Sequence, residues 1–258
     1  YSVTLAGTPK VTPFSPFKND DARDITTDGG SGYFEGSGDY LSVGGVTTEF
    51  DFGTGDFTIE CWVNLSATGQ FNPIVYLGRD MYTGLFCDIS SSNNPRIIMY
   101  PSSTSWRVDG STSLTTGQWY HLAFVRNGSS FKIYVDGVED GSITDSRSIG
   151  AVSSDASSVK QIGYLRINSG ADRYFNGYIS SLRVVKGTAV YTSAFTPPTA
   201  PLTVVTNTEL LTNFQDAGIY DRSGINNLDT VGDARLGFAP IYGTGSLAFD
   251  GTGDYLSM

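Results

Sequence analysis

The side chains in this chain that could carry out chemistry are few and far apart. A nucleophilic or acid–base centre built on His121, the single histidine, would need an orienting acid and a nucleophile beside it. Its own stretch, WYHLAF, supplies neither and reads as a strand that carries the imidazole as an ordinary sheet residue. Glycosidic cleavage needs two carboxyl groups ~5–10 Å apart across the scissile bond. Glu60 stands alone on its strand face between Thr58 and Trp62, Asp136, Glu139 and Asp140 fall on a hairpin turn, and Asp20, Asp21 and Asp24 lie in a connector. These read as isolated or solvated carboxylates. Zinc needs a cluster of nitrogen and sulfur ligands, which one histidine and two separated cysteines do not make. Cys61 and Cys87 lie in apolar strands, ECWV and LFCD, and read as buried free thiols ahead of a disulfide. The glycine-rich GSGDY and GTGDF lack the lysine and the following helix of a phosphate loop.

The elements around these residues are strands. In DFTIECWVNL, Phe57, Ile59, Cys61 and Val63 share one face, and Thr58, Glu60, Trp62 and Asn64 share the other. That period of two marks a half-buried strand. WYHLAFVRN alternates likewise, and after the turn Asn127–Ser130 comes FKIYVDG, with Phe131, Ile133 and Val135 on one face. Asp136-Gly137 predicts a type I′ hairpin turn, which needs positive φ at both central residues. Further strands are expected at 72–78, 84–89, 96–100, 159–165 and 175–185. No stretch sustains a helical period, and the best candidate for a helical turn is Thr188–Ser193. The prolines of FTPPTAPL, Phe195–Leu202, predict an extended linker.

Composition agrees with many short strands joined by polar turns. Charged residues make up 16% of the 258, well under the usual ~25%. The formal charge of −10 and the lack of a Lys/Arg cluster argue against nucleic acid and anionic membrane surfaces as partners. No apolar run approaches the ~18 residues of a membrane span. The chain begins at Tyr1, as a processed product or a piece of a longer polypeptide would.

An internal repeat bears on domain organisation. SGYFEGSGDYLSV at 31–43 recurs as SLAFDGTGDYLSM at 246–258, with eight of thirteen positions identical. The offset of 215 residues suits one β-sandwich domain. Residues 1–30 read as an N-terminal connector with a first strand, 31–205 as the sandwich, and 206–258 as the start of a second repeat or a segment packed on the first domain. In the repeated Gly-x-Gly-Asp-Tyr-Leu, the glycines permit a tight bend and Asp39 and Asp254 cap turn amides, as does Asp56 in GTGDF.

In order, FEGSGDYLSV, DFTIECWVNL, GQWYHLAFVRNGSSFKIYVDGVEDG and FNGYISSLRVVKGTAVYTSAFTPP resemble the concanavalin A-like lectin/glucanase superfamily. Within it the chain is similar to the laminin-G-like modules of bacterial surface proteins and bacteriophage tail or capsid-associated proteins. The resemblance implies an all-β fold, a two-sheet antiparallel β-sandwich of jelly-roll type. The glucanase branch carries its catalytic carboxylates as Glu-x-Asp-x-x-Glu on one strand, and that motif is missing here, so no enzyme is expected. Laminin-G-like and pentraxin relatives hold Ca²⁺ at a sandwich rim, which makes calcium the alternative to turn capping for the acidic loops.

Glycan recognition sets an aromatic face under a sugar ring beside a few polar groups. The aromatics in loop-like contexts are Tyr76, Tyr82, Tyr100 and Trp106, with Arg79 and Asp80 beside them in sequence. The stretches RDMYT and PSSTSWRVD read as loops on a rigid sandwich, where ligands usually bind. The resulting expectation is a non-catalytic, extracellular or virion-surface module that adheres to surface glycans. The alternative is a structural module that contacts other copies of itself or other virion or surface proteins.

Overall fold

The computed structural model describes residues 3–12, 14–17, 29–43, 48–80, 83–100, 106–151, 159–166 and 172–214, and the strand pieces 229–231, 235–237, 246–248 and 255–257. Two antiparallel sheets pack face to face. One runs β1 (Val3–Ala6), β4 (Tyr40–Val43), β13 (Val159–Ile162), β6 (Asn72–Asp80), β7 (Thr83–Ile89), β8 (Pro95–Tyr100), β9 (Trp106–Asp109). The other runs β12 (Val138–Thr144), β11 (Ser130–Val135), β10 (Trp119–Asn127), β5 (Phe57–Leu65), β16 (Asn176–Lys186), β3 (Ser31–Glu35), β2 (Lys10–Thr12), with β17 (Thr208–Thr212) also on β16. The pair β14 (Tyr164–Leu165) and β15 (Arg173–Tyr174) forms a ladder of its own against β6. The helical content of the described residues is one 3₁₀ turn, Thr48–Phe50, and none of their helices is long and apolar enough to cross a membrane. The expected all-β sandwich is the fold observed.

The alternation read from the sequence sets the two faces of β5. Phe57, Ile59, Cys61 and Val63 are fully buried between the sheets, together with Leu122, Phe124, Phe131 and Ile133 from the neighbouring strands. Ile74, Val75, Leu85, Cys87 and Ile97 meet them from the opposite sheet. Cys61 and Cys87 are free and buried, and loss of hydration pushes both thiols up, away from the thiolate form. The turn after β11 takes the expected shape, with φ of 48° at Asp136 and 79° at Gly137. Asp136 fixes it by accepting from the His121 amide at 2.8 Å.

The structure revises or sharpens the sequence reading in several segments. Residues 188–193 form no helical turn. Thr58 of β5 donates to the Thr188 carbonyl and accepts from the Val190 amide, so the sheet takes the groups a helix would pair internally. Phe195–Leu202 lies on the sheet as a strap, because Tyr191 and Phe195 stack 3.6 Å apart and pack on Ala123, Val125 and Tyr134. The N-terminal connector contributes one strand to each sheet. Within the span 206–258, β17 pairs with β16 of the first sandwich, with Leu210 and Phe214 in its core.

The C-terminal pieces repeat the N-terminal pairings. β1 pairs with β4 so that Thr4, Leu5 and Ala6 face Ser42, Leu41 and Tyr40. β18 (Asp229–Val231) pairs with β21 (Tyr255–Ser257) so that Asp229, Thr230 and Val231 face Ser257, Leu256 and Tyr255. Likewise β2 faces β3 with Lys10 opposite Tyr33, and β19 (Arg235–Gly237) faces β20 (Ser246–Ala248) with Arg235 opposite Ala248.

Candidate functional site

Side chains that alternate away from the core line the outer face of the eight-stranded sheet in rows. One row crosses four strands: Trp119 on β10 is opposite Asn64 on β5, Asn64 is opposite Tyr178 on β16, and Tyr178 is opposite Tyr33 on β3. The next row holds His121, Trp62 and Ser180, and the one after it Ala123, Glu60 and Arg183.

Arg183 reaches this face through a β-bulge. Ser180 faces Trp62, so a regular ladder would set Leu182 opposite Glu60. Arg183 is opposite Glu60 instead, and Ser181 takes a φ of 48° to absorb the extra residue. Leu182 thereby stays in the core. The Arg183 guanidinium donates to Glu60 Oε1 through Nε at 3.0 Å and Nη2 at 2.6 Å, and Nη1 donates to the Thr203 carbonyl at 2.7 Å. Tyr191, just before the strap, donates to Glu60 Oε2 at 2.8 Å, and His121 Nε2 lies 3.2 Å from the same oxygen. Burial alone would raise the Glu60 carboxyl. The hydrogen bond with His121 and the charge of Arg183 outweigh it and hold the group below the usual carboxylate range. Glu60, read as isolated in sequence, thus belongs to a buried cluster that fastens the strap. Glu60 and His121 are both 0% exposed, so no substrate reaches them.

Beyond the strap, the arm Phe14–Phe17 lies on the aromatic row. Phe14 sits 5.1 Å from Trp119 and 4.8 Å from Tyr178, ring centroid to centroid, and Phe17 meets Trp62 edge-on at 5.9 Å. Ser31 holds the arm by donating to the Phe14 carbonyl at 2.6 Å. Between the arm and the loop after β5 lies a hollow of about 420 Å³, lined by Phe14, Asn64, Leu65, Ser66, Thr116, Gly117 and Tyr178. This is within the ~300–1,000 Å³ of small-ligand sites. Phe14, Tyr178 and Trp119 are half-buried. Asn64 is 2% exposed, and its Nδ2 finds no acceptor among the described residues; Trp62 Nε1 and Trp119 Nε1 are in the same position. The hollow thus sets the rings of Phe14 and Tyr178 beside the polar side chains of Asn64, Ser66 and Thr116.

The residues singled out from sequence do not converge on this hollow. Tyr76 is on the outer face of the other sheet, 3% exposed, in a cluster with Phe86, Ile98 and Leu165. Its ring lies over Gly78, where a Cβ would strike it. Tyr100 packs on this cluster, its ring 6.0 Å from Phe86 and half-buried. Trp106 is a strand residue of the core, 6% exposed, set edge-on to Phe131 with the Arg147 guanidinium 4.3 Å over its ring. Neither Tyr76 nor Trp106 has a ring face open to a ligand, which corrects the loop-like reading of both. Arg79 and Asp80 end β6. Tyr82 lies outside the described residues. Trp119, Asn64 and Tyr178 carried only their alternation as a signal. Phe14, in a Pro-rich stretch, carried none.

The repeated aspartates behave as turn caps where they are described. Asp39, 1% exposed, accepts from the amides of Thr8 and Glu35 at 2.7 and 3.1 Å, and Asp56 accepts from the Gly128 amide at 2.7 Å. Asp254 lies outside the described residues. Among the described residues, no three His, Cys, Asp or Glu side chains gather in a way that could hold a metal ion.

The family model described as the concanavalin A-like lectin/glucanases superfamily matches residues 35–192. No curated protein matches the sequence. Among solved structures, the fold is similar to domain 4 of AbnA, a GH43 extracellular arabinanase from Geobacillus stearothermophilus solved with arabinotriose. That match has a TM-score of 0.52 and 18% identity, and covers 73% of this chain and 83% of the other. It is also similar to a putative carbohydrate binding protein from Bacteroides ovatus, with a TM-score of 0.53, 18% identity, 76% of this chain and 54% of the other. The chain therefore spans most of the first structure and about half of the second.

Proposed function

The chain belongs to the concanavalin A-like lectin/glucanases superfamily, and from that premise we propose that it is a non-catalytic glycan-binding module displayed outside the cell or on a virion surface. The observation that carries this reading is the hollow at Phe14, Asn64 and Tyr178, where half-buried rings flank a buried amide with an unused donor. Rings beside a few oriented polar groups are what sugar recognition requires. A similar sandwich from the arabinanase was solved with arabinotriose, which supports the assignment. The burial of Glu60 and His121 supports a module without hydrolytic chemistry.

A panel of immobilised glycans tests the reading, with the Tyr178→Ala and Tyr100→Ala variants run alongside. Binding lost on Tyr178→Ala supports the hollow. Binding lost only on Tyr100→Ala moves the site to the other sheet, to the cluster of Tyr76, Phe86 and Ile98 on which Tyr100 packs. No binding by the parent chain, together with self-association or capture by particle proteins, would replace glycan adhesion with a structural role.

The repeated pairings favour a tandem organisation in which residues 229–257 open a second module. A chain ending at residue 214 is then expected to melt at the same temperature as the whole. A clear drop would make the segment part of the first module.

A further inference from the structure

We propose that the hollow on the eight-stranded sheet selects neutral glycans and rejects acidic ones, an inference that rests on the glycan-binding reading above. Among the described residues, no side chain lining the hollow is charged. The polar groups it offers are the Asn64 amide and the hydroxyls of Ser66 and Thr116. Among the described residues, the nearest cation along the aromatic row is Lys10, opposite Tyr33 and three strands from Asn64, or ~14 Å at the usual strand spacing.

The unused donor at the hollow bears on what a ligand must present. Of the side chains that line it, Asn64 has an amide Nδ2 without an acceptor among the described residues. Sugar hydroxyl and ring oxygens satisfy such donors without carrying charge. A carboxylate or sulfate would accept from them equally well, but it would surrender its hydration in a site with no counter-charge. The chain's formal charge of −10 opposes its approach as well. Electrostatics therefore separate two ligand classes that the aromatic rings alone would accept equally.

Titration calorimetry of the whole chain tests this with matched pairs: lactose against 3′-sialyllactose, and cellotriose and arabinotriose against trigalacturonic acid. The neutral member of at least one pair is expected to bind at least ~10-fold tighter, about the worth of one well-made or lost hydrogen bond to charge. Asn64→Leu and Tyr178→Ala should each weaken neutral binding ~10-fold or more while thermal melts show the fold retained. Thr116 is exposed, so Thr116→Lys leaves the core alone. It should raise affinity for the acidic members and narrow the discrimination. Tighter binding of the acidic members, lost on Tyr178→Ala, would overturn the class while leaving the site. Neutral binding unmoved by both Asn64→Leu and Tyr178→Ala would overturn the site while leaving glycan binding. Failure of every sugar in both classes would overturn the glycan reading itself.

Discussion

Each outer face of the sandwich buries a carboxylate, and the two settings differ. On the eight-stranded sheet, Glu60 accepts from Arg183 and Tyr191 and lies within hydrogen-bond range of His121, and its carboxyl is held low. On the seven-stranded sheet, Asp88 is 0% exposed and accepts from Arg96 alone among its described donors, through Nε at 2.7 Å and Nη2 at 2.5 Å. There burial outweighs the Arg96 bonds and pushes the carboxyl up. The Arg96 guanidinium also lies 5.0 Å over Phe71, which Arg173 covers at 3.5 Å. The difference shows what each pair does. Glu60 gathers groups from β10, β16 and the segment just before the strap, whereas Asp88 ties one strand to its neighbour.

The largest expected effect comes from breaking the richer cluster. Glu60→Gln leaves Arg183 buried without its counter-charge and should cost ~3–5 kcal/mol in urea unfolding. Asp88→Asn, which strands a less enclosed arginine, should cost ~1–3 kcal/mol. Equal losses would mean that the two carboxylates are not in different settings.

A second pair of variants separates packing from binding. Tyr76→Ala on the seven-stranded face should cost ~3 kcal/mol, as buried aromatics do, and leave glycan affinity unchanged. Tyr178→Ala, being half-buried, should cost under ~2 kcal/mol and weaken that affinity ~10-fold or more. Chemical denaturation and calorimetry on the same samples read both quantities.

The strap supplies a third test. Gly137 has a left-handed φ, and a Cβ there would run into the Phe195 carbonyl. Gly137→Ala should therefore destabilise by more than ~1 kcal/mol. A protease should then cut first within residues 188–203.

The smallest effect is in the pH dependence. Because folding lowers the Glu60 pKa, its stabilisation is complete above the unfolded carboxylate value of ~4.3 and is lost as pH falls through the lower folded value. Asp88 works in the opposite sense. Its raised pKa favours the protonated form in the fold, so its contribution falls as pH rises from the unfolded value of ~3.9 through the folded one. Stability measured between about pH 2 and 6 should thus lose acid sensitivity in Glu60→Gln and gain it in Asp88→Asn.

What could be read from the sequence was whatever depends on neighbours along one strand. The two faces of β5, the alternation of β10 and β11 and the Asp136-Gly137 turn are local, and they appear as expected. The Glu60 cluster spans up to 131 residues of sequence and depends on a bulge at Ser181, which no alternation reveals. Trp106 was misplaced because only Trp106 and Val108 mark its inward face, too few positions for a period to show in a Ser-rich stretch. The arm and the strap were read as connectors because their prolines carry no ladder amide. What settles them on the sheet is the burial of Phe14, Tyr191 and Phe195.

The bulge in β16 also governs which changes in chain length the gene can tolerate. Removing the Ser181 codon would restore a regular ladder, with Leu182 opposite Cys61 in the core and Arg183 still opposite Glu60. Removing the Leu182 codon would leave the strand equally regular but put Ser181 in the core position. An insertion anywhere between Ser180 and Arg183 would require a second irregular residue. Single-codon deletions along this strand should therefore be survivable chiefly at the Ser180-Ser181 pair, where loss of either codon removes the residue that the fold already treats as surplus.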